Sequence, residues 1–211
     1  MTAPWQGGRV RKLVYLVAST LDGFIARASR ADPSADVFEV QGDHLVALAQ
    51  EYPEMLPGHV RAHLGMDGVP NRHFDTVLEG RVSYETGVAL GVADAYPHLR
   101  HLVFSTTMGE PAAPAVEVVR TDALERVREL KAEEGQDIWL CGGGSLAAAL
   151  REEIDEIHLK LNPVVLGAGA PLVDAPVPGG DGADPAPVDR FRLVSTRPFD
   201  SGVVLLVYAR R

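Results

Sequence analysis

The chain has 211 residues, 46% hydrophobic and 23% charged, which is ordinary for a globular protein and enough for one large or two small domains. A net charge of −9 argues against a general nucleic-acid surface, which needs a basic face. The single cysteine, Cys141, rules out an internal disulfide and a cysteine zinc cluster, and no apolar run approaches the roughly 20 residues of a membrane helix. Met1 to Lys12 lacks the long apolar core of a signal peptide, so a cytoplasmic protein is expected.

In chain order, residues 1–10 read as a loose lead. Leu13 to Ala18 is nearly continuous apolar sequence, as expected of a strand covered on both faces. Ser19-Thr20-Leu21-Asp22-Gly23 follows, with a turn signal at Asp22-Gly23. A carboxylate leaving a central strand is placed to face a crevice; equally, Asp22 closes the turn. Arg27 to Phe38 is polar and turn-rich. Asp43 to Tyr52 reads as a helix, with Asp43 a candidate cap and Leu45, Val46, Leu48 and Ala49 on one face. Val60 to Leu64 gives a further helical turn. His59 and His63 stand four apart without a third ligand in view, so no metal site is expected.

Thr76 to Leu78 reads as a strand running through Gly80 into a helix that starts near Val82 or Ser83. A helix start reached through glycine exposes bare backbone N–H groups that can cradle a phosphate, with Arg81 beside them and Ser83 offering a hydroxyl. His101 to Phe104 is a third strand, ending in the hydroxyls of Ser105, Thr106 and Thr107, and Val116 to Val119 is a fourth. Asp122 to Glu125 has capping-box spacing and opens a helix to about Glu134. Ile138 to Leu140 then turns through Cys141, Gly142, Gly143 and Gly144 into Ser145, Leu146 and a run of strong helix formers, a second strand–glycine–helix start. Glu156 to Leu161 is a strand ended by Asn162-Pro163; Val164 to Val173 is loop; residues 174–189 form an exposed loop. Phe191 to Thr196 and Val203 to Tyr208 close the chain as an antiparallel hairpin around Asp200-Ser201-Gly202. Strands alternating with helices and a terminal hairpin predict one α/β domain over residues 1–211, with a mostly parallel sheet and an antiparallel edge.

Two helix starts and a hydroxyl cluster at strand ends suit a dinucleotide. Gly142 to Ala147 matches G-x-G-x-x-A, but it lies late in the chain, and Gly167 stands where a Rossmann fold would place an acidic residue. A Rossmann arrangement is therefore rejected.

Four motifs in order, Ser19–Gly23, Gly80–Glu85, Gly142–Ser145 and Asn162–Gly169, resemble the dihydrofolate reductase-like fold, and within it the family of the riboflavin biosynthesis reductase domain. The resemblance covers nearly the whole chain. It implies a three-layer α/β domain and NADPH as hydride donor. It implies cofactor contacts at Ala18, Gly80, Arg81, Val82, Ser83, Ser105, Thr106, Thr107, Gly142, Gly143, Gly144, Ser145 and Leu146. Ser105 to Thr107 and Arg81 would face the adenosine ribose and its 2′-phosphate. Asp22 would border the nicotinamide and a heterocyclic substrate as the catalytic carboxylate, with Glu39 and Asp43 as substitutes. A homodimer is implied on the same ground. Departures are Ser145, where dihydrofolate reductases often carry a basic residue, the lack of a Leu-Pro-Trp segment between Ala26 and Asp75, and the lack of a cysteine–histidine deaminase set. The expected function is reduction of a ribosylaminopyrimidine-like heterocycle. A pterin or folate reductase, and a binding protein that holds NADPH or a flavin without turnover, are the alternatives.

Overall fold

A computed structural model describes residues 10–29, 36–38, 40–175 and 188–211. The described residues form strands β1 Leu13–Ser19, β2 Phe24–Ala26, β3 Phe74–Gly80, β4 Arg100–Phe104, β5 Glu117–Val119, β6 Asp137–Gly142, β7 Ile154–Leu161, β8 Ala170–Pro171, β9 Phe191–Pro198 and β10 Val204–Arg210. Five α-helices accompany them: α1 Asp43–Glu51, α2 Gly58–His63, α3 Arg81–Ala89, α4 Ala123–Ala132 and α5 Gly144–Ala149. Eight strands form one sheet in the order β5-β4-β3-β6-β1-β7-β10-β9, while β2 and β8 pair with each other apart from it. Pairing is parallel from β5 across to β7 and antiparallel from β7 through β10 to β9. The predicted mostly parallel sheet with an antiparallel hairpin at its edge is what forms.

The continuous apolar run of β1 divides by alternation between two cores. Leu13 and Tyr15 join Leu78, Leu102 and Leu140 beneath α4 and α5, where Val127, Leu130, Leu146 and Leu150 are buried. Val14 and Leu16 face the other way, with Val77 and Trp139, under Leu48 of α1 and Tyr52. Helices thus cover both faces, and each β1 side chain has a core to enter.

Local sequence accounts for most boundaries. Asp122 caps α4, its Oδ1 accepting from the N–H of Leu124 at 2.9 Å and of Glu125 at 3.3 Å. α1 differs from expectation. Its N-cap is Gly42, without a side-chain cap bond, and the Asp43 carboxylate instead accepts from Asp200 N at 2.9 Å and Ser201 N at 3.1 Å in the terminal hairpin turn. The face α1 buries carries His44 and Leu48, whereas Leu45 and Val46 are 41% and 64% exposed. The helix is fixed at one end by the hairpin, and that anchoring sets which stripe meets the sheet. The paired segments β2 and β8 were not foreseen, being too short to show a period. The predicted lead, Glu39 and most of the predicted loop 174–189 lie outside the described residues.

The end of the sheet where the parallel strands begin is tied by charge. Buried Arg11 donates Nε to Gln136 O at 2.5 Å, Nη1 to Leu130 O at 3.2 Å and Nη2 to Thr76 Oγ1 at 2.7 Å, and it pairs with Asp75. Nearby, fully buried Glu54 of the 3-10 turn Pro53–Met55 accepts from the N–H groups of Arg72, His73 and Phe74 at 3.2, 2.8 and 3.0 Å. That carboxylate fixes where β3 starts. Glu54→Ala would strand these buried amides, so we expect it to cost about 3 kcal/mol, read from the urea midpoint. A loss under about 1 kcal/mol would mean that water satisfies them instead.

Candidate active site

β1 and β6 pair only over Leu13–Ile138, Val14–Trp139 and Tyr15–Leu140. β1 then continues with β7 alone as far as Ser19–Leu161. Just past the last β1–β6 pair, the indole Nε1 of Trp139 donates to Leu16 O at 3.0 Å. On the other side of β6, the register against β3 shifts between Leu78–Leu140 and Glu79–Gly142, which leaves Cys141 as an extra residue. The strands thus separate at their carboxyl ends, where open α/β sheets hold ligands. A cleft of about 1100 Å³ opens there. Its walls include Ala18, Gly80, Arg81, Val82, Ser83, Ser105, Thr106 and Gly142 through Leu146, so the fold brings these residues to one cleft. Asp22 and Thr107 are not among its lining residues.

On one side of the cleft the starts of α3 and α5 face each other. Their N-caps, Gly80 and Gly143, make no side-chain cap bond, so first-turn N–H groups remain for a ligand. α3 begins at Arg81, slightly earlier than predicted, which brings Arg81 into its first turn. Gly142 has φ +151°, a conformation that favours glycine, whereas Gly143 is extended at φ −102°. A Cβ on Gly143 would meet only Ser83 Oγ, at 3.9 Å, so the space before it is open. Gly144 is different: a Cβ there would lie 2.2 Å from Pro171 O, so close packing against β8 demands glycine. Polar side chains around the rim have local partners. Arg81 lies 3.5 Å from Glu85 across one helical turn, Ser145 Oγ donates to Asp174 Oδ2 at 3.0 Å, and Ser105 Oγ accepts from Thr107 N and Met108 N at 3.2 and 3.0 Å. Thr107 is therefore bound into the turn that Ser105 organises.

The floor of the cleft is a face of the sheet on which Glu79, Trp139, Cys141 and Lys160 all appear. Glu79 Oε2 is 2.9 Å from His101 Nε2, and His101 Nδ1 is 2.9 Å from Asp94 Oδ1. Burial disfavours the imidazolium of His101, but bonds to Glu79 and Asp94 outweigh it and raise its pKa above the ordinary histidine value. Burial pushes the Cys141 thiol up, with the Glu79 charge adding to the effect, so the sulfur stays a neutral thiol. Burial also lowers the Lys160 pKa. The residue is half-buried and lines the cleft.

Asp22 sits outside this floor and holds two loops together. Its carboxylate accepts from Thr20 Oγ1 at 2.6 Å, Leu166 N at 3.1 Å and Gly167 N at 2.7 Å. The Thr20 hydroxyl, followed by the two amides, lowers its pKa to about 2. Leu21 N donates to Val164 O at 2.8 Å alongside, and Gly169 packs so tightly that a Cβ would lie 2.3 Å from Ala26 O. The first and last of the four sequence motifs therefore meet as one clasp over the end of β1. The carboxylate that the resemblance places beside the reacting groups is bonded into this clasp.

Sheet order, crevice and paired helix starts define an α/β fold of the dihydrofolate reductase type. Superposition agrees. A protein from Shewanella sp. PV-4 assigned to riboflavin biosynthesis aligns over 95% of this chain and 99% of its own, with TM-score 0.66 at 18% identity. Dihydrofolate reductase from Enterococcus faecalis, complexed with NADP(H) and RAB-propyl, aligns over 95% and 96% with TM-score 0.60 at 13% identity. A diaminohydroxyphosphoribosylaminopyrimidine deaminase/5-amino-6-(5-phosphoribosylamino)uracil reductase from Thermotoga maritima gives 0.58 at 18% identity over 95% of this chain and 57% of its own. Within that fold the chain belongs to the RibD C-terminal domain family, which residues 92–205 match. Two Bacillus subtilis (strain 168) proteins are similar: the uncharacterized YyaP, 39% identical over 50% of this chain and 52% of its own length, and the uncharacterized YwjB, 30% identical over 77% and 82%. The match to YyaP thus spans about half of that protein's length.

Glu79, His101, Cys141 and Lys160 were not singled out from the sequence. The available signal was a charged residue at an inward position of an apolar strand, as in Val77-Leu78-Glu79 and Leu159-Lys160-Leu161. For the clasp, a carboxamide at position 22 can accept through only one atom. Asp22→Asn is expected to speed hydrogen exchange at Leu166 and Gly167 while the sheet amides stay protected; unchanged exchange at both would refute the clasp. Acid acts in the same direction. A carboxylate whose folded pKa is depressed contributes above the ordinary aspartate value, and its contribution fades as pH falls toward about 2.

Proposed function

We propose that the protein is an NADPH-dependent reductase that transfers hydride to a heterocycle, of the type acting on 5-amino-6-(5-phosphoribosylamino)uracil. The observation that carries the proposal is the pair of uncapped helix starts, α3 and α5, facing each other beside the open space at Gly143. Backbone donors arranged around a glycine without a side chain fit a pyrophosphate. Membership of the RibD C-terminal domain family and the NADP(H) complex of the Enterococcus enzyme support the choice of ligand.

When bound, the nicotinamide supplies a hydride; the protein's task is to hold and orient the two reactants. Gly80–Ser83 and Gly142–Leu146 bind the pyrophosphate through backbone N–H groups and the Ser83 hydroxyl. Thr106 and Arg81 lie toward the adenosine half. Ala18, small and at the parting of β1 from β6, leaves room for the flat ring to reach the floor. The substrate rests on the face formed by Trp139, Cys141 and Lys160, with Tyr96 and Phe38 closing the apolar walls. Asp22 serves as a positioning residue that keeps the clasp over the end of β1. A pterin reductase uses the same floor, and a non-catalytic nucleotide-binding protein uses the same cradle. Steady oxidation of NADPH with a pyrimidine, with a pterin or with neither separates the three.

Gly143→Val tests the cradle directly. The backbone at Gly143 is extended and the space is open, so the variant folds. Its side chain then occupies the pyrophosphate position. NADPH affinity should fall at least about tenfold, or roughly 1.4 kcal/mol, by fluorescence titration with circular dichroism as the folding control. A folded variant that binds NADPH like wild type would reduce Gly142–Gly144 to a turn.

A homodimer belongs to the same proposal. Among the described residues β9 is an edge strand, and it leaves Leu193 and Val194 each 51% exposed, a surface that a second copy would cover. Light scattering should give about twice the chain mass of 22.6 kDa, and a monomer at micromolar concentration would exclude it.

A further inference from the structure

The chain has three lysines, and they are treated differently. Lys12 pairs with Glu156 at 2.5 Å, and Lys131 pairs with Asp155 at 2.8 Å and Glu153 at 3.2 Å. Lys160 has no carboxylate within ion-pair distance among the described residues. Its Nζ meets the thioether of Met55 at 3.5 Å, a weak acceptor. A half-buried ammonium on a cleft floor with only a thioether beside it has donors left for whatever enters the cleft.

Its place in the sheet locates those donors. Lys160 lies opposite Ala18 on β1 and Leu205 on β10. Together with Glu79 on β3 and Cys141 on β6, it lies along the cleft floor. The ends of this row have opposite character. Glu79, held by His101, presents a carboxylate acceptor; Lys160 presents donors. The strands that carry them are three inter-strand steps apart, roughly 14 Å at the backbone, before the two side chains reach over the floor between them. Trp139 and Tyr96 supply flat apolar surface alongside.

We propose that Lys160 is the residue by which the cleft selects its substrate: its ammonium takes an anionic or enolisable ring oxygen of a planar nitrogen heterocycle whose N–H-bearing edge faces Glu79. The inference rests on the reading of this cleft as a reductase site, because it places the substrate on the floor and the cofactor at the helix starts. Lys160 is a binding and specificity residue. It also separates oxygenated rings from ring systems of equal size that lack the oxygen, because the latter leave the ammonium unanswered.

Lumazine, a dioxo pteridine, and unsubstituted pteridine are the probes, titrated calorimetrically into protein saturated with NADP⁺. Wild type should bind lumazine at least about tenfold more tightly than pteridine. Lys160→Met should lose that preference, with lumazine affinity down about tenfold or more, and Lys160→Arg should retain it within a few-fold. NADP⁺ affinity should stay within about twofold in every variant, which a general structural defect would not allow. Should Lys160→Met fail to fold, Lys160→Gln replaces it as the uncharged variant. Equal lumazine binding by wild type and the uncharged variant, equal binding of the two probes, or no lumazine binding by wild type would each overturn the proposal. Failure of NADP⁺ to bind wild type would instead defeat the cofactor reading, and the lumazine comparison, repeated without nucleotide, would still decide Lys160.

Discussion

Just beyond Tyr15 and Leu140, a side-chain donor takes over from the strand ladder: the indole of Trp139 meets the Leu16 carbonyl where β1 and β6 stop pairing. That bond ends the ladder without leaving the carbonyl unsatisfied, a requirement for any buried strand that is to part from its neighbour. Everything functional follows from the parting. Ala18 gains a free flank, the β6 bulge turns Cys141 toward the floor, and Gly142 and Gly143 stand across from Gly80 at the end of β3. Had the two strands run in register to their ends, the sheet would close over the place where both ligands are proposed to lie.

The cleft combines two kinds of polarity. Around the helix starts the donors are backbone groups with little side-chain interference, suited to a phosphate that presents the same face in every substrate complex. On the floor the polar groups are side chains: a carboxylate locked through His101 to Asp94, and an ammonium with only a thioether beside it. The first arrangement is generic and the second is particular.

The sheet was legible because its signals are collective. Apolar runs at β1, β3, β4 and β6, the Asp122 cap and the terminal hairpin each rest on several residues that agree. The two glycine-led helix starts were legible because each follows a short apolar run directly. The floor was not, since a lone Glu79 or Lys160 reads locally as the end of an apolar strand. The apolar face of α1 divides in the structure, Leu48 entering the core and Leu45 turning toward the cleft, two destinations that no helical period can distinguish. Asp22 illustrates the limit most plainly: its partners Leu166 and Gly167 stand some 144 and 145 residues away in sequence, and only folding reveals that its oxygens are taken.

The Arg11 clamp and the cleft occupy opposite ends of the same strands. Residues 11, 75, 76 and 136 bind the sheet together at one end, and residues 79, 139, 141 and 160 face the ligand space at the other. Such separation makes the molecule a favourable starting point for laboratory evolution. A library randomised over the floor would sample new ring chemistries while the clamp continues to secure the scaffold, so selection could act on recognition with comparatively little of each variant's fate decided by folding.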